Sequence, residues 1–429
     1  MPRGLELPTI QNWSCHNCGG CCRQHLIEVT PVEKQRILDQ QWTDADGSPV
    51  GERSFVKIGR QRFRLAHRSD GACVFLNEQG LCRIHAKFGE DAKPLPCRIY
   101  PYAFHPGGDG KLTLGLRFSC PSVVANKGTP IVEQRRELVE LSKQVVPEGA
   151  ETVAPPRASG TEQLDWSDTM RLVGALRRVV TRDAPGHSLA TRLVHALFLT
   201  KMIGQASFEK VRGPRIDELT ELLMQAAPLE TTSHADQLPE PVKLARAQFR
   251  LIVAQYARHD TLSEQSSGLM YRLSMVFAGA RFTRGRGETP VLRDTYKPVP
   301  FASLDAPGSG LSDEAEQTLT RYFDVKLSSL HFAGPAFYNN TLVDGFGHLA
   351  MVYPVTLYVA RWIALSNDRP AVTTPDVQQA LSIVDHPHGY SPAMGLGNFR
   401  RRVKWLVDND HLSHLIGWYG RGGVTTCST

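Results

Sequence analysis

The sequence predicts an α+β protein with a small cysteine-rich head built on short β-hairpins, followed by a mainly α-helical body. Three observations carry this. Eight of the nine cysteines lie between Cys15 and Cys120, and the next 306 residues hold none before Cys427. Short apolar runs broken by turn residues fill the first 128 positions. From Ile131 onward apolar residues recur at helical spacing instead.

Taken in order, Thr30-Pro31-Val32-Glu33 reads as a helix start, with Thr30 as N-cap, Pro31 in the first turn and Glu33 reaching back. Residues 54–66, SFVKIGRQRFRLA, alternate about Gly59 as a hairpin. Residues 73–85, CVFLNEQGLCRIH, suggest a second hairpin, its turn at Asn77–Gly80 and one cysteine on each arm. A third pairs RIYPYAFHP with KLTLGLRFSC through GGDG. After a helical stretch from Ile131, a linker rich in Pro, Gly and Ala runs to about residue 164. Helical patterns then cover about 167–182, 187–203, 214–226, 240–258 and 261–280. A loop rich in Gly and Pro precedes the last group, near 312–326, 338–366, 374–384, 395–408 and 410–419. The expected division is 1–128 for the cysteine-cluster domain, 129–166 for a helix and linker, and 167–429 for a helical domain.

Composition narrows the function classes. At 41% hydrophobic and 21% charged residues the chain resembles an ordinary globular protein. Its net charge is +6, and residues 1–130 hold 17 Lys or Arg against 12 Asp or Glu. That excess reads as a solvated basic face, so nucleic acid is not an expected partner. The longest apolar stretch, Leu349–Leu365, is interrupted by Pro354 and Arg361 and reads as a buried core helix kinked at the proline, not a membrane span. The first thirty residues contain no apolar secretory segment, so a cytoplasmic location with reduced thiols is expected.

Clustered reduced thiols point to metal. Cys15, Cys18 and Cys21 are spaced so that a tight loop through Gly19 and Gly20 could aim successive sulfurs at one centre. Cys22, Cys73, Cys82, Cys97 and Cys120 complete the candidate ligand set. Zinc and an iron–sulfur cluster of the 4Fe-4S type both use four thiolates. The adjacent pair Cys21-Cys22 is awkward for one tetrahedral ion if neighbouring side chains diverge, which favours iron–sulfur. Tandem zinc sites would also consume eight cysteines. Cys427 stands apart and reads as incidental.

CHNCGGCC, the Cys73 and Cys82 pair, and Pro96-Cys97-Arg98 followed by Tyr100-Pro101 resemble the CxxCxxCC cysteine-cluster family (YkgJ-like), a zinc- or iron-chelating domain. The resemblance covers about residues 15–120. The family includes flagellin lysine N-methylases, similar in layout. That likeness implies methyl transfer from S-adenosylmethionine to a lysine-bearing, flagellin-like protein substrate. No glycine-rich βα turn of a Rossmann methyltransferase is visible, nor a C-x3-C-x2-C run. Two other classes stay open: a zinc-structured interaction module without catalysis, and an iron–sulfur redox or electron-transfer protein.

The remaining candidates have plainer readings. His16, His25, His85 and His105 lie near the thiols in sequence and read as supporting or solvent-facing groups. Arg98 could offset thiolate charge or make a surface ion pair. Asp385-His386-Pro387-His388 reads as a loop, and Arg400-Arg401-Arg402-Val403-Lys404 as the solvated face of a late helix.

Overall fold

The computed structural model describes residues 4–43, 51–108, 110–147, 149, 153–160, 162–181, 187–258 and 269–422; Cys427 lies outside them. Six strands form two three-stranded sheets in the first 116 residues, and helices dominate afterwards. The α+β division expected from sequence is the one observed.

In the first sheet β2 (Glu28–Val29) and β3 (Phe55–Lys57) flank β4 (Phe63–Leu65), all antiparallel. Phe55 pairs with Leu65 and Lys57 with Phe63, which is the hairpin that the alternation about Gly59 predicts. In the second sheet β5 (Tyr102–Gly108) and β6 (Lys111–Leu116) form the other expected hairpin. No periodicity marked its third strand, β1 (Leu5–Glu6), which pairs parallel to β6. Two residues are too short to show a period.

Short helices punctuate the head: α1 (Gly20–Gln24), α2 (Pro31–Leu38), α3 (Arg83–Phe88), α4 (Leu95–Ile99) and α5 (Pro121–Val124). At α2 the capping box forms as expected, with Thr30 Oγ1 accepting from Glu33 N at 3.2 Å and Glu33 Oε2 accepting from Thr30 N at 2.8 Å. Residues 73–85 depart from expectation. Asn77–Gly80 do turn, with Gly80 N donating to Asn77 O at 3.2 Å, but the arms share only an isolated bridge between Leu76 and Cys82, and α3 starts directly after. Helix formation beyond Cys82 removes the second arm.

The body follows the predicted helices, except that residues 261–268 of the one expected over 261–280 lie outside the described residues. It contains α6 (Arg135–Val145), α7 (Trp166–Thr181), α8 (Leu189–Gln205), α9 (Pro214–Glu230), α10 (Lys243–Ala257) and α11 (Leu269–Arg284). Then come α12 (Phe301–Leu304), α13 (Asp313–Ser328), α14 (Leu342–Ser366), α15 (Thr374–Asp385), α16 (Pro392–Gly395), α17 (Gly397–Asp408) and α18 (His411–Gly420). The central α14 begins where Thr341 Oγ1 accepts from Asp344 N at 3.0 Å and runs unbroken through Pro354. By length and composition it could cross a membrane, but 89% of its apolar window is buried inside the protein, as a core helix should be. It is longer than the apolar run because Phe346 and His348 are buried with it.

Two apolar cores result. The larger spans the helical body and also takes in Leu112, Leu114, Leu116 and Cys120 from the second sheet and α5. The smaller belongs to the first sheet, with Trp42, Phe55, Leu65, Phe75 and Ile84. Side chains of the body stitch the second sheet and α5 in place. Asp385 Oδ2 accepts from Ser119 N at 3.0 Å, Ser382 Oγ donates to Phe118 O at 3.0 Å, and Arg321 donates to Val123 O at 2.9 Å.

Candidate metal centre

The thiols sit on the short helices more than on hairpins. Cys21 and Cys22 lie in α1, Cys82 and Cys120 are the N-caps of α3 and α5, and Cys97 lies within α4. One-turn helices follow from Gly19, which at φ 66° bends the chain into α1, and from the prolines opening α4 and α5. Backbone N–H groups free at such starts can face sulfur. The amides of Val123 and Ser122 do so at Cys120, and that of Phe75 at Cys73.

Two loops are drawn together by glycine. At Gly80, φ 79°, a Cβ would fall 2.5 Å from Asn17 O, so the Cys15–Cys22 run lies directly on the turn leading to Cys82. Cys73 N donates to Cys22 O at 2.8 Å, fastening the other side of that turn to α1.

Five thiols are gathered in this way. Cys21 Sγ and Cys22 Sγ are 3.9 Å apart, and that contact followed by burial raises the Cys21 thiol above its ordinary value. This corrects the expectation that vicinal side chains diverge: the one-turn helix directs both sulfurs to the same side. Burial pushes Cys73 up to about 12, with Cys82 and Cys21 adding to it. Cys97 keeps some solvent-accessible surface, yet burial around its sulfur raises it strongly, and Cys73, Cys82 and Cys21 raise it further. Burial lowers the nearby Lys93 amine, but Glu90 and then Cys97 and Cys82 outweigh that and hold it up. A cation therefore stands beside the thiols, as four thiolates on one metal would require.

Cys18 and Cys120 make a second, adjacent pair. The Cys18 sulfur would lie 3.5 Å from a Cβ at Gly20, whose next neighbour is Pro121. Cys120 feels Cys18, and Tyr100 feels both Cys120 and Cys21, so Tyr100 stands between the two groups. The structure does not bring Cys15 in: it is exposed, its sulfur 3.7 Å from Asn17 Oδ1.

The donor set fits a thiophilic metal. All eight thiols are free of disulfides, the buried ones are costly to ionise without a cation, and soft sulfur ligands select zinc or iron–sulfur centres. Cys21, Cys73, Cys82 and Cys97 are the residues that would hold it. Among the described residues no three His, Cys, Asp or Glu side chains already share one ion position, so the sulfurs are gathered without yet being arranged about a point.

The histidines divide. His16 and His85 face solvent, bonded to Ser14 O at 2.7 Å and paired with Glu90 at 2.7 Å. His25 packs between Tyr100 and His386, ring centroids 4.7 and 5.0 Å away, and burial holds its pKa down to about 3. His105 stacks on His331 at 4.8 Å. Arg98 makes the surface pair, 3.0 Å from Asp91, and leaves the charge-balancing place to Lys93. Sequence reasoning missed Lys93, although it stands in the same KPLPC motif as Cys97.

The larger surprise is the segment 385–388. It is no solvent loop, since Asp385 and His388 are fully buried and His386 is 6% exposed. Asp385 Oδ1 lies 2.7 Å from Lys326 Nζ, a fully buried ion pair. Lys326 also meets His331 Nδ1 at 3.0 Å, and Arg117 donates to His386 O at 3.1 Å. No local pattern announced this seam, because its partners come from β6, α13 and α15.

Fold and site together define a thiol-rich metal-chelating head carried on a helical body. Residues 14–121, the cysteine head, match the CxxCxxCC family model described as a "Putative zinc- or iron-chelating domain". The chain is also similar to an uncharacterized protein of Methanocaldococcus jannaschii, 24% identical over 164 residues. That match covers 36% of this chain and 55% of the relative, so the chain spans about half the length of the curated relative it matches. No solved structure matches.

Proposed function

We propose that the head holds an iron–sulfur cluster on Cys21, Cys73, Cys82 and Cys97. The observation that supports this most is the convergence of thiols from three separate segments, around Cys21, Cys73–Cys82 and Cys97, beside the Lys93 amine and with Arg68 near Cys73. A cluster takes four cysteine thiolates, each on a different iron, which four gathered sulfurs can supply. Zinc is the second reading, favoured by the 3.9 Å between Cys21 and Cys22. Zinc–sulfur bonds of about 2.3 Å place two sulfurs of a tetrahedron roughly 3.8 Å apart.

The layout shared with flagellin lysine N-methylases supports a further step, methylation of a protein lysine. There the amine lone pair of a neutral lysine takes the methyl carbon of S-adenosylmethionine, the sulfonium sulfur keeps the bonding electrons, and the nitrogen then loses a proton. A flagellin-like protein is the proposed partner.

Anaerobic purification, a visible spectrum and metal analysis on one sample test the cluster. A broad visible band that bleaches on reduction, with iron and acid-labile sulfide in matching amounts, is expected. A colourless protein carrying zinc would sink the iron–sulfur reading. Methyl transfer is tested separately by mass spectrometry of a lysine-bearing protein substrate incubated with S-adenosylmethionine and the metal-loaded protein.

A further inference from the structure

Helices α14 and α17 touch closely where a Cβ on Gly347 would lie 2.8 Å from Val407 Cγ2. Beside that contact is an open cleft of about 120 Å³, walled by Asp344 and His348 from α14 and by Arg400, Arg401, Lys404 and Asp408 from α17. It lies on the helical body and owes nothing to the thiols.

Two of its groups lack partners. His348 is 4% exposed, packs against the rings of Phe337 and Phe399, and makes no hydrogen bond with any described residue. Burial, then the facing Arg400 guanidinium, hold its pKa down to about 4, so at neutral pH the imidazole carries one N–H to donate. Arg400 is half-buried, and its guanidinium makes no hydrogen bond or ion pair with a described residue.

The carboxylates nearby are already engaged. Asp344 accepts from the Thr341 hydroxyl at 3.0 Å and lies 3.6 Å from Lys404, while Asp408 lies 3.3 Å from the same amine. Lys404 is thus balanced twice over. The charges left uncompensated are Arg400 and the exposed Arg401, whose Nε donates to Gly397 O at 3.2 Å. A nearly buried imidazole and a guanidinium with no ion pair to a described residue face one cavity, whose carboxylates, Asp344 and Asp408, are turned to Lys404. A nearly buried polar group left so is costly unless something completes it.

We propose that this cleft binds a small molecule through a carboxylate or phosphate group seated between the Arg400 guanidinium and the His348 imidazole. The planar fork of arginine suits either oxyanion, and a cavity of about 120 Å³ is of the size of such a headgroup, with the rest of the ligand left in the open mouth.

The test is calorimetric titration of the full-length protein with inorganic phosphate and, separately, with acetate. Saturable one-site binding of at least one probe is expected, and which one binds names the anion class. Arg400→Gln should weaken it at least about 10-fold, as loss of a charge-assisted pair does. His348→Gln should weaken it too, and if that variant does not fold, Arg400→Gln still decides. Absence of saturable binding for both probes overturns the proposal. So does Arg401→Gln weakening binding as much as Arg400→Gln, which would mean diffuse surface attraction.

Discussion

Lys326 and Asp385 meet at 2.7 Å with neither side chain exposed at all. Burial alone would pull the lysine amine down, and Asp385 opposes that. Because Asp385 Oδ2 also accepts from Ser119 N, the pair stands one residue away from Cys120. Replacing one member, as in Lys326→Met, leaves a buried charge uncompensated and should cost about 3 to 5 kcal/mol. The double change Lys326→Met with Asp385→Leu should recover much of that. Thermal unfolding of the three proteins checks it; equal losses in the single and double variants would contradict the account.

The thiols should not be equivalent. Serine at Cys21, Cys73, Cys82 or Cys97 is expected to abolish most bound metal, because each contributes a sulfur to the same gathered set. Cys15→Ser should retain nearly all of it, its sulfur being exposed and apart. Metal-to-protein ratios measured after identical anaerobic purification decide between this and an equal loss at every position.

Gly80→Ala should lower metal content without touching a ligand. The position combines φ 79° with a Cβ clash 2.5 Å from Asn17 O, so the turn must leave the Cys15–Cys22 run. Gly71→Ala is the control: its φ of 77° carries similar backbone strain, but a Cβ there meets nothing. Both should be destabilised by about 1 kcal/mol or more, and only Gly80→Ala should lose metal.

Stability should fall with acid even where thiols are not involved. His348 moves from an ordinary 6.5 to about 4 on folding, so the unfolded chain binds the proton more tightly. Its stabilising share is therefore complete above about pH 6.5 and lost progressively down to about pH 4. Between about pH 7.5 and pH 5 the loss is about 2 kcal/mol from this residue. Denaturant titrations of the parent and His348→Gln should show a shallower pH slope in the variant.

Local chemistry was legible in the sequence and long-range pairing was not. The Thr30 cap, the hairpin about Gly59 and most helices of the body depend on neighbours within a few residues, and each appears where its pattern lies. The eight candidate thiols were visible by spacing, whereas their grouping into five, two and one depends on Gly80 meeting Asn17 across some sixty positions. Asp385 and His388 read as loop residues because proline and histidine usually solvate. Their burial is set by Lys326, Arg117 and Tyr256, the last bonded through its hydroxyl to His388 Nδ1 at 2.8 Å. Arg400 looked like one more surface charge because no linear pattern reveals a cleft.

Arg321 reaches from α13 to the carbonyls of Val123 and Val124 and to Gln11 Oε1, at 2.7 Å for the last. One guanidinium thereby ties the stretch before the first cysteine to the stretch after the eighth. The cysteine head is for that reason no transplantable cassette. Cut free near residue 128, it would lose the guanidinium that closes both of its ends.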